Sequence, residues 1–291
     1  MSDVIIIGNG PAGISASLYT TRAGLSTTII GKDSGALQKT DKIDNYYGFA
    51  ETIRGADLVG NGIKQAERLG AELIGAEVLG LSYETQFTVK TSQGDYRADG
   101  ILIATGTQRT APKIPGLSEY EGKGISYCAV CDAFFYRGKD VAVLGCCDYA
   151  LHEAMELLPI AKSVTIVTNG DTPIDNIPSQ IKVISTAITE FSGKETIERI
   201  VFQDGSQISV SGIFIAVGVA GSSDLARKLG VQTQGTKIVV DETMATNVPG
   251  VYAAGDCTGG MMQIAKAVYE GAQAGSQLVK YVRKRKGNSQ A

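Results

Sequence analysis

The chain has 291 residues, 43% hydrophobic and 20% charged, which is typical of a globular protein long enough for two domains. A net charge of −3 gives no general reason to expect nucleic acid or an anionic membrane as a partner, and no apolar run approaches the ~18–20 residues that a transmembrane helix requires. The odd number of cysteines, five, and the lack of a signal-peptide pattern predict a protein of the reducing cytoplasm.

The first predicted unit begins with a strand, a glycine-rich turn and a helix. Val4 to Ile7 reads as a buried strand, and a G-x-G-x-x-G turn runs from Gly8 to Gly13. In such a turn the middle glycine lets a pyrophosphate approach the backbone, and the helix N-terminus supplies N–H donors and a positive dipole. The turn therefore predicts dinucleotide binding. The acidic residue that usually holds the ribose of NAD is missing after the next strand, which ends in Ile30-Gly31-Lys32.

Near the middle of the chain, Cys128-Ala129-Val130-Cys131-Asp132 places two thiols one turn apart, with a carboxyl group beside the second. Such a pair can close a disulfide and reopen it, passing two electrons. The same spacing can form half of a zinc site, but a zinc site needs a second ligand pair. The other three cysteines and the single histidine do not repeat the spacing, so the motif predicts redox chemistry and no metal site.

A second strand-glycine-helix outline runs from Val141 to about Leu158, and another buried-type strand follows at 164–167. Two such βαβ beginnings predict an α/β fold with two doubly wound, Rossmann-like domains of the nucleotide-binding type. Prolines near residue 112 mark a crossing into the second domain, and a return is predicted near 241–249. The last helix, from about Met261 to Arg285, then belongs to the first domain. The predicted boundaries are 1–112 and 242–291 for a discontinuous first domain, and 113–241 for the second.

Several motifs in combination resemble the thioredoxin reductase family of flavoproteins. They are the Gly8–Gly13 turn, Ala104-Thr105-Gly106, the Cys128–Asp132 segment, and Tyr252–Asp256 followed by Gln263-Ile264-Ala265. The resemblance covers nearly the whole chain. It implies that the protein binds FAD, reduces its own disulfide from the flavin, passes the electrons to thioredoxin, and forms a homodimer. Members of the family also lack a clear ribose acid, which accounts for the Gly31-Lys32 sequence.

The resemblance assigns FAD contacts to individual residues. The first domain would be the FAD-binding domain and the second a pyridine-nucleotide-type domain that carries the cysteine pair. The residues implied at the pyrophosphate are Gly8, Gly10, Pro11, Ala12 and Gly13. Those implied at the adenosine are Gly31, Lys32 and Val78. Those implied around the ribityl chain and the ring are Leu37, Asn45, Gly106, Asp256, Gln263 and Ile264.

The resemblance also distributes the redox chemistry over three residues. Cys131 would be the flavin-side thiol, Cys128 the thiol that attacks the thioredoxin disulfide, and Asp132 the acid–base group that exchanges a proton with the departing thiol. From the residues alone, Asp132 could also be a helix-start carboxylate stabilised by the helix dipole. Cys257, one residue after Asp256, reads as a small core residue.

The second turn departs from the family pattern, in which G-x-G-x-x-A and a basic cluster bind NADPH. Gly145 and Ala150 are kept, but Cys147 stands at the middle glycine position, where a Cβ obstructs the approach of pyrophosphate to the backbone. The segment 168–175 after the next strand has no Arg or Lys and contains Asp171 and Asp175, which would repel a 2′-phosphate. These changes predict that the second domain does not use NADPH.

A branch of the family resembles the chain in these same losses, namely the ferredoxin-dependent flavin thioredoxin reductases. Ferredoxin at about −400 mV and thioredoxin at about −270 mV differ by about 130 mV, which is roughly 6 kcal/mol for two electrons. Ferredoxin is therefore the predicted donor. A basic cluster over 280–286 could help an acidic ferredoxin to dock, although it also reads as a solvated helix end.

Other interpretations stay open at this stage. The chain could be a dithiol oxidase of the same fold that needs no NADPH, or a thioredoxin reductase that takes NAD(P)H through an atypical site. A non-catalytic flavoprotein that acts as a redox-sensing partner is a third possibility. The intact Cys-x-x-Cys-Asp sequence argues against this third interpretation and does not separate the first two from the ferredoxin-dependent enzyme.

Overall fold

The computed structural model describes residues 2–32, 35–106, 112–127, 129–218 and 221–288. Contacts between Cα atoms divide the chain into two compact units. One consists of Met1–Gln108 with Gly221–Ala291, and the other of Arg109–Ala220.

The strands, in chain order, are β1 (Ser2–Ile7), β2 (Thr27–Ile30), β3 (Glu72–Ile74), β4 (Val78–Tyr83), β5 (Phe87–Thr91), β6 (Gly94–Ile103), β7 (Ile125–Ser126), β8 (Asp140–Leu144), β9 (Ser163–Val167), β10 (Ile181–Ile184), β11 (Ile188–Gly193), β12 (Ile197–Phe202), β13 (Gln207–Ser209), β14 (Gly212–Ile215), β15 (Thr233–Gln234), β16 (Lys237–Ile238) and β17 (Val251–Ala253). The α-helices are α1 (Pro11–Arg22), α2 (Gly55–Arg68), α3 (Ala129–Asp132), α4 (Asp148–Leu157), α5 (Ser222–Lys228) and α6 (Ile264–Asn288). Short 3-10 helices lie at Ala36–Lys39, Ala133–Tyr136 and Asp256–Thr258.

The sheet of the first unit has the order β3-β2-β1-β6-β5-β4, with β17 also paired to β6. β1 pairs in parallel with β2 and β6, and β17 is parallel to β6. The strand order reverses between β1 and β6, and the carboxyl ends of β1, β6 and β17 meet at one edge of the sheet. In open α/β sheets this is where ligands bind.

Helices α1 and α6 pack against each other through small residues. A Cβ on Gly271 would lie 2.1 Å from the carbonyl oxygen of Ala12, and one on Gly275 would lie 2.6 Å from that of Ala16. The two glycines therefore let α6 approach the backbone of α1. Leu278 and Val282 of α6 are fully buried in the same core. The predicted last helix is confirmed as α6, shifted to Ile264–Asn288.

The second unit is built on a five-stranded parallel sheet of order β10-β9-β8-β14-β7. An antiparallel sheet β11-β12-β13 contributes Phe191 and Phe202 to its core. The order reverses between β8 and β14. Each unit thus has a mainly or wholly parallel sheet with a βαβ beginning, and the predicted α/β class with two doubly wound domains is confirmed.

The chain returns to the first unit at Gly221, earlier than the predicted boundary at residue 242. Helix α5 packs against β4 of the first unit and against β16. The β15-β16 hairpin follows α5, so residues 221–240 belong with the first unit. The prediction placed them in the second unit, with the return near residues 241–249.

Within the described ranges, no helix combines the length and the hydrophobicity that crossing a bilayer requires.

Candidate active site

The first glycine-rich turn joins β1 to α1, and two of its glycines are required by the fold itself. Gly8 has φ +111°, and a Cβ there would lie 2.3 Å from the carbonyl oxygen of Ala104 at the end of β6. A Cβ on Gly13 would lie 1.9 Å from the carbonyl oxygen of Gly8. Because backbone atoms form these contacts, no side-chain movement could make room.

Gly10, the middle glycine, is different. It has φ −76° and ψ −177°, a conformation open to any residue, and a Cβ there would meet no atom within 4 Å. The fold therefore does not require a glycine at this position. The open space lies at the N-terminus of α1, which begins at Pro11 and whose first N–H groups are oriented outward. The arrangement fits a pyrophosphate bound close to the backbone, with Ala12 buried behind the turn.

The residues predicted at the adenosine lie at the ends of β2 and β4. Gly31 donates its N–H to the carbonyl of Ile74, and Asn9 of the first turn lies against it. Lys32 Nζ lies 2.5 Å from Oε2 of Glu77, whose side chain is 2% exposed and which directly precedes Val78. Glu77 was not predicted from the sequence, because no spacing or motif distinguishes it from a surface carboxylate.

Two of the residues predicted at the flavin ring are joined directly. Asn45 Nδ2 donates a 3.0 Å hydrogen bond to Oε1 of Gln263, although the two residues are far apart in the sequence. Ile264 begins α6, and Asp256 begins the 3-10 helix after β17. Gly106 has φ +72°, and its carbonyl lies 3.5 Å from the Ser222 hydroxyl. The last predicted ring contact, Leu37, lies in the 3-10 helix Ala36–Lys39 of the same unit.

An ion pair between the largely covered Lys266 and the buried Glu270 organises the turn that carries Asp256. Lys266 Nζ donates to the carbonyl of Gly255 at 2.8 Å and lies 3.0 Å from Oε2 of Glu270. The same carboxylate oxygen accepts the N–H of Gly255 and the hydroxyl of Thr258. A lysine in the first turn of a helix opposes the helix dipole, and these acceptors offset that cost. The Lys-x-x-x-Glu spacing could have indicated this ion pair from the sequence, but the same spacing is usual on an exposed helix face.

The redox segment lies in the second unit. Cys128 falls outside the described residues, and of Cys131 the structure describes only the backbone, within α3. Asp132 closes α3, and its Oδ2 accepts a 2.6 Å hydrogen bond from the Ser126 hydroxyl. Burial, followed by the negative charge of Asp132, raises the pKa of Tyr136. Asp132 is therefore held at a fixed place beside the cysteine segment.

The second turn joins β8 to α4. A Cβ on Gly145 would lie 2.2 Å from the carbonyl oxygen of Ala216 at the end of β14, so this glycine is also required by the fold. At the middle position the Cys147 thiol donates a hydrogen bond of 2.7 Å to the carbonyl of Gly218. Tyr149 is 1% exposed and fills the core beneath the turn, beside Ala150. A cysteine side chain thus lies where the first turn is open.

Asp171, after β9, lies near this second turn. Its Oδ2 is 3.8 Å from Sγ of Cys146. Burial, then the neighbouring Cys147 and then Asp171 raise the pKa of the Cys146 thiol. A 2′-phosphate would meet a carboxylate here and no Arg or Lys between residues 168 and 175. The first turn is open at its middle position, whereas the Cys147 side chain occupies the second.

Cys257 is a core residue, as predicted. It is 2% exposed, and its thiol donates to the carbonyls of Ile103 and Ala254. Burial raises the pKa of this thiol to about 12. Among the described residues, no group of three or more His, Cys, Asp or Glu side chains is placed to hold a metal ion.

Much of the basic cluster at the end of α6 is bound to the first unit. Arg285 Nε lies 3.5 Å from Asp99, and Lys286 Nζ lies 2.5 Å from Asp3. Arg283 donates to the carbonyl of Ala23. These contacts hold the end of α6 against the rest of its own unit. They favour the interpretation of the basic cluster as a helix end.

The chain is similar to known redox flavoproteins over nearly its whole length. Residues 2–271 match the family described as pyridine nucleotide-disulphide oxidoreductase. A thioredoxin reductase of Listeria monocytogenes is 35% identical over 308 residues, which cover 99% of this chain and 96% of the relative. The structure of the atypical thioredoxin reductase TRi from Desulfovibrio vulgaris Hildenborough is 41% identical, covers 98% of this chain and 99% of its own, and has a TM-score of 0.91. A ferredoxin-flavin thioredoxin reductase from Clostridium acetobutylicum is 30% identical, with 97% and 98% covered and a TM-score of 0.71.

Proposed function

This chain belongs to the pyridine nucleotide-disulphide oxidoreductase family, as a flavoprotein of the thioredoxin reductase type with FAD as its cofactor, and we propose that its electron donor is reduced ferredoxin. The proposed path runs from ferredoxin through FAD and the Cys128/Cys131 disulfide to thioredoxin. The observation that carries the choice of donor is the second turn, where the Cys147 thiol lies within hydrogen-bond distance of the Gly218 carbonyl. A pyridine nucleotide would need that space for its pyrophosphate.

The FAD pyrophosphate would bind at the open face of Gly10 and the first N–H groups of α1. When bound, FAD supplies a group that accepts electrons one at a time or in pairs and delivers two to a disulfide. Asn45 and Gln263 would orient the ring end through their mutual hydrogen bond. Lys266 and Glu270 would hold the turn of Asp256 in place.

The cysteine pair would carry the electrons to thioredoxin by thiol–disulfide exchange. The Cys128 thiolate attacks one sulfur of the thioredoxin disulfide, and a mixed disulfide forms as the first thioredoxin thiolate leaves. The Cys131 thiolate then attacks Cys128, releases the second thioredoxin thiolate and closes the Cys128–Cys131 disulfide. Asp132, oriented by the Ser126 hydroxyl, would take the thiol proton and return it to the departing thiolate.

An exposed aromatic pair supports a protein as the acceptor. Phe134 and Phe135, which follow the redox segment after Ala133, are 70% and 68% exposed. Exposed aromatic side chains are costly in water unless a partner covers them, and they are frequent at protein interfaces. Thioredoxin would contact this pair while its disulfide reacts with Cys128. The homodimer and the cytoplasmic location expected from the sequence belong to the same proposal.

The test is an anaerobic mixing experiment. The oxidised flavoprotein is mixed with NADPH, NADH or reduced ferredoxin, and flavin bleaching is followed by its visible absorbance. We expect complete bleaching by ferredoxin, little change with either nucleotide, and thioredoxin thiols once thioredoxin is added. Fast bleaching by NADPH or NADH would contradict the proposed donor. In a separate aerobic assay, oxygen uptake with a small dithiol, without thioredoxin reduction, would indicate a dithiol oxidase instead.

A further inference from the structure

A buried carboxylate contacts the first turn of the redox helix. Glu153 of α4 is 1% exposed, and its Oε2 accepts a 2.7 Å hydrogen bond from the backbone N–H of Ala129. Ala129 is fully buried, begins α3 and directly follows Cys128 in the sequence. Burying a carboxylate is costly unless strong hydrogen bonds compensate for the lost water. Packing alone therefore gives no reason for an acidic residue at this place.

The next acidic residue on the same helix shows what an ordinary position looks like. The Glu156 side chain is 32% exposed and lies 3.9 Å from His152 on α4 itself. Glu153, in contrast, is directed into the interior and contacts a different element. The contrast makes Glu156 a matched control, because it has the same charge on the same helix.

We propose that Glu153 is a positioning residue of the redox centre, which fixes α3 through the Ala129 amide and places a negative charge at the residue that follows Cys128 in the sequence. The inference rests on the proposed function only in taking Cys128 and Cys131 as the redox pair. A buried carboxylate close to a thiol disfavours the thiolate form, because the two negative charges would repel each other. The reduced pair would then be held mainly as neutral thiols, which explains the need for Asp132 as a base.

The same contact gives the second unit a role that does not depend on a nucleotide. Helix α4 begins at Asp148, directly after the Cys147 turn, and carries Glu153 to α3. The second turn has no open middle position, but it still sets the start of α4 and thereby the place where Glu153 supports α3. This accounts for the retained strand-turn-helix geometry around Gly145.

The test measures the reactivity of the cysteine pair against pH. The holoenzyme is reduced anaerobically with a phosphine and treated with iodoacetamide between pH 5 and 9. Tryptic peptide Gly124–Arg137 contains Cys128 and Cys131 and no other cysteine, and it has the same sequence in every variant, so its alkylated fraction can be compared directly. Neither ferredoxin nor thioredoxin takes part, so failure of the proposed donor would leave this result untouched.

We expect Glu153→Gln to move the midpoint of the alkylation profile to lower pH by about one unit and to raise the rate at pH 7 roughly three- to tenfold. Glu153→Asp, which keeps the charge but withdraws it by one methylene, should shift the profile in the same direction by less. Glu156→Gln should leave it unchanged. A wild-type profile in Glu153→Gln, even with a lower melting temperature, would overturn the proposal. If Glu153→Gln yields no holoenzyme, Glu153→Asp decides, and an unchanged profile there overturns it too.

Discussion

The two strand–turn–helix segments of this chain share their first glycine and differ at the middle position of the turn. In both, the first glycine lies against the carbonyl at the end of a neighbouring parallel strand, Gly8 against Ala104 and Gly145 against Ala216. At the middle position the first turn has Gly10 with open space around it, whereas the second has Cys147 bound to the Gly218 carbonyl.

The difference between the two turns shows which glycines the backbone requires and which only a bound ligand would require. The first glycine of each turn serves the backbone, so its presence in both units says little about binding. The middle glycine has no role in the fold, since Gly10 has a conformation that any residue could adopt. A glycine at the middle position of the first turn, and a cysteine there in the second, therefore bear on ligand binding and not on folding.

The largest effect is expected where the backbone itself is obstructed. Gly8→Ala and Gly145→Ala should each destabilise the protein by about 3 kcal/mol or more, because the new Cβ meets a carbonyl oxygen and a positive φ is required. Melting followed by circular dichroism, with and without added FAD, measures this. Gly10→Ala, whose Cβ meets nothing within 4 Å, is the control and should melt like the wild type without added FAD. Wild-type melting of Gly145→Ala would break the analogy between the turns.

The second-largest effect is expected for FAD binding at the first turn, in a variant that still folds. Gly10→Val should reduce FAD affinity at least about 100-fold, or about 2.7 kcal/mol, because its side chain fills the space needed by the pyrophosphate. Titration of the FAD-depleted protein with FAD, followed by flavin fluorescence, gives the dissociation constant. An unchanged constant would show that the open space at Gly10 is not the pyrophosphate site.

A smaller effect is expected when the second turn is restored to glycine. Cys147→Gly removes the obstructing side chain but leaves Asp171 and the absence of Arg or Lys over 168–175. We expect less than about a tenfold gain in NADPH affinity, and a further gain in the double variant with Asp171→Arg, since a bidentate cation would then face the 2′-phosphate. Equilibrium titration of both variants with NADPH measures the two dissociation constants. Tight NADPH binding by Cys147→Gly alone would show that the missing basic residues do not matter.

The smallest effect concerns the basic end of α6. Lys280 and Lys284 are exposed, whereas Arg283, Arg285 and Lys286 are bound to groups of the first unit. Neutralising Lys280 and Lys284 with glutamine should change the rate of reduction by ferredoxin less than about twofold at low salt. Stopped-flow absorbance measures the rate. A larger fall, abolished by added salt, would identify this helix end as a ferredoxin docking surface.

The sequence predicts the parts of the molecule that follow local rules. A buried strand before G-x-G-x-x-G and a helix after it is a local pattern, and β1, the turn and α1 agree with it. The hydrogen bond between Asn45 and Gln263 was not predictable from spacing, and both residues entered only through the family resemblance.

The buried charges could not be predicted, because a sequence does not show which face of a helix is covered. Glu153 and Glu156 are alike in sequence, but the first is buried against α3 and the second is partly exposed. Lys266 and Glu270 likewise have the spacing of an exposed pair. The return to the first unit at Gly221 was missed for a related reason, because the packing of α5 against β4 is a long-range contact.

Calorimetric titration distinguishes a chain in which only the first turn binds a dinucleotide from one in which both turns do. The holoenzyme, with its FAD content determined, is titrated anaerobically with NADPH and then with NADH. We expect one FAD per chain and no detectable binding of either nucleotide up to about millimolar concentration, which corresponds to a binding free energy weaker than about 4 kcal/mol. Stoichiometric binding of NADPH or NADH with a micromolar dissociation constant would contradict it.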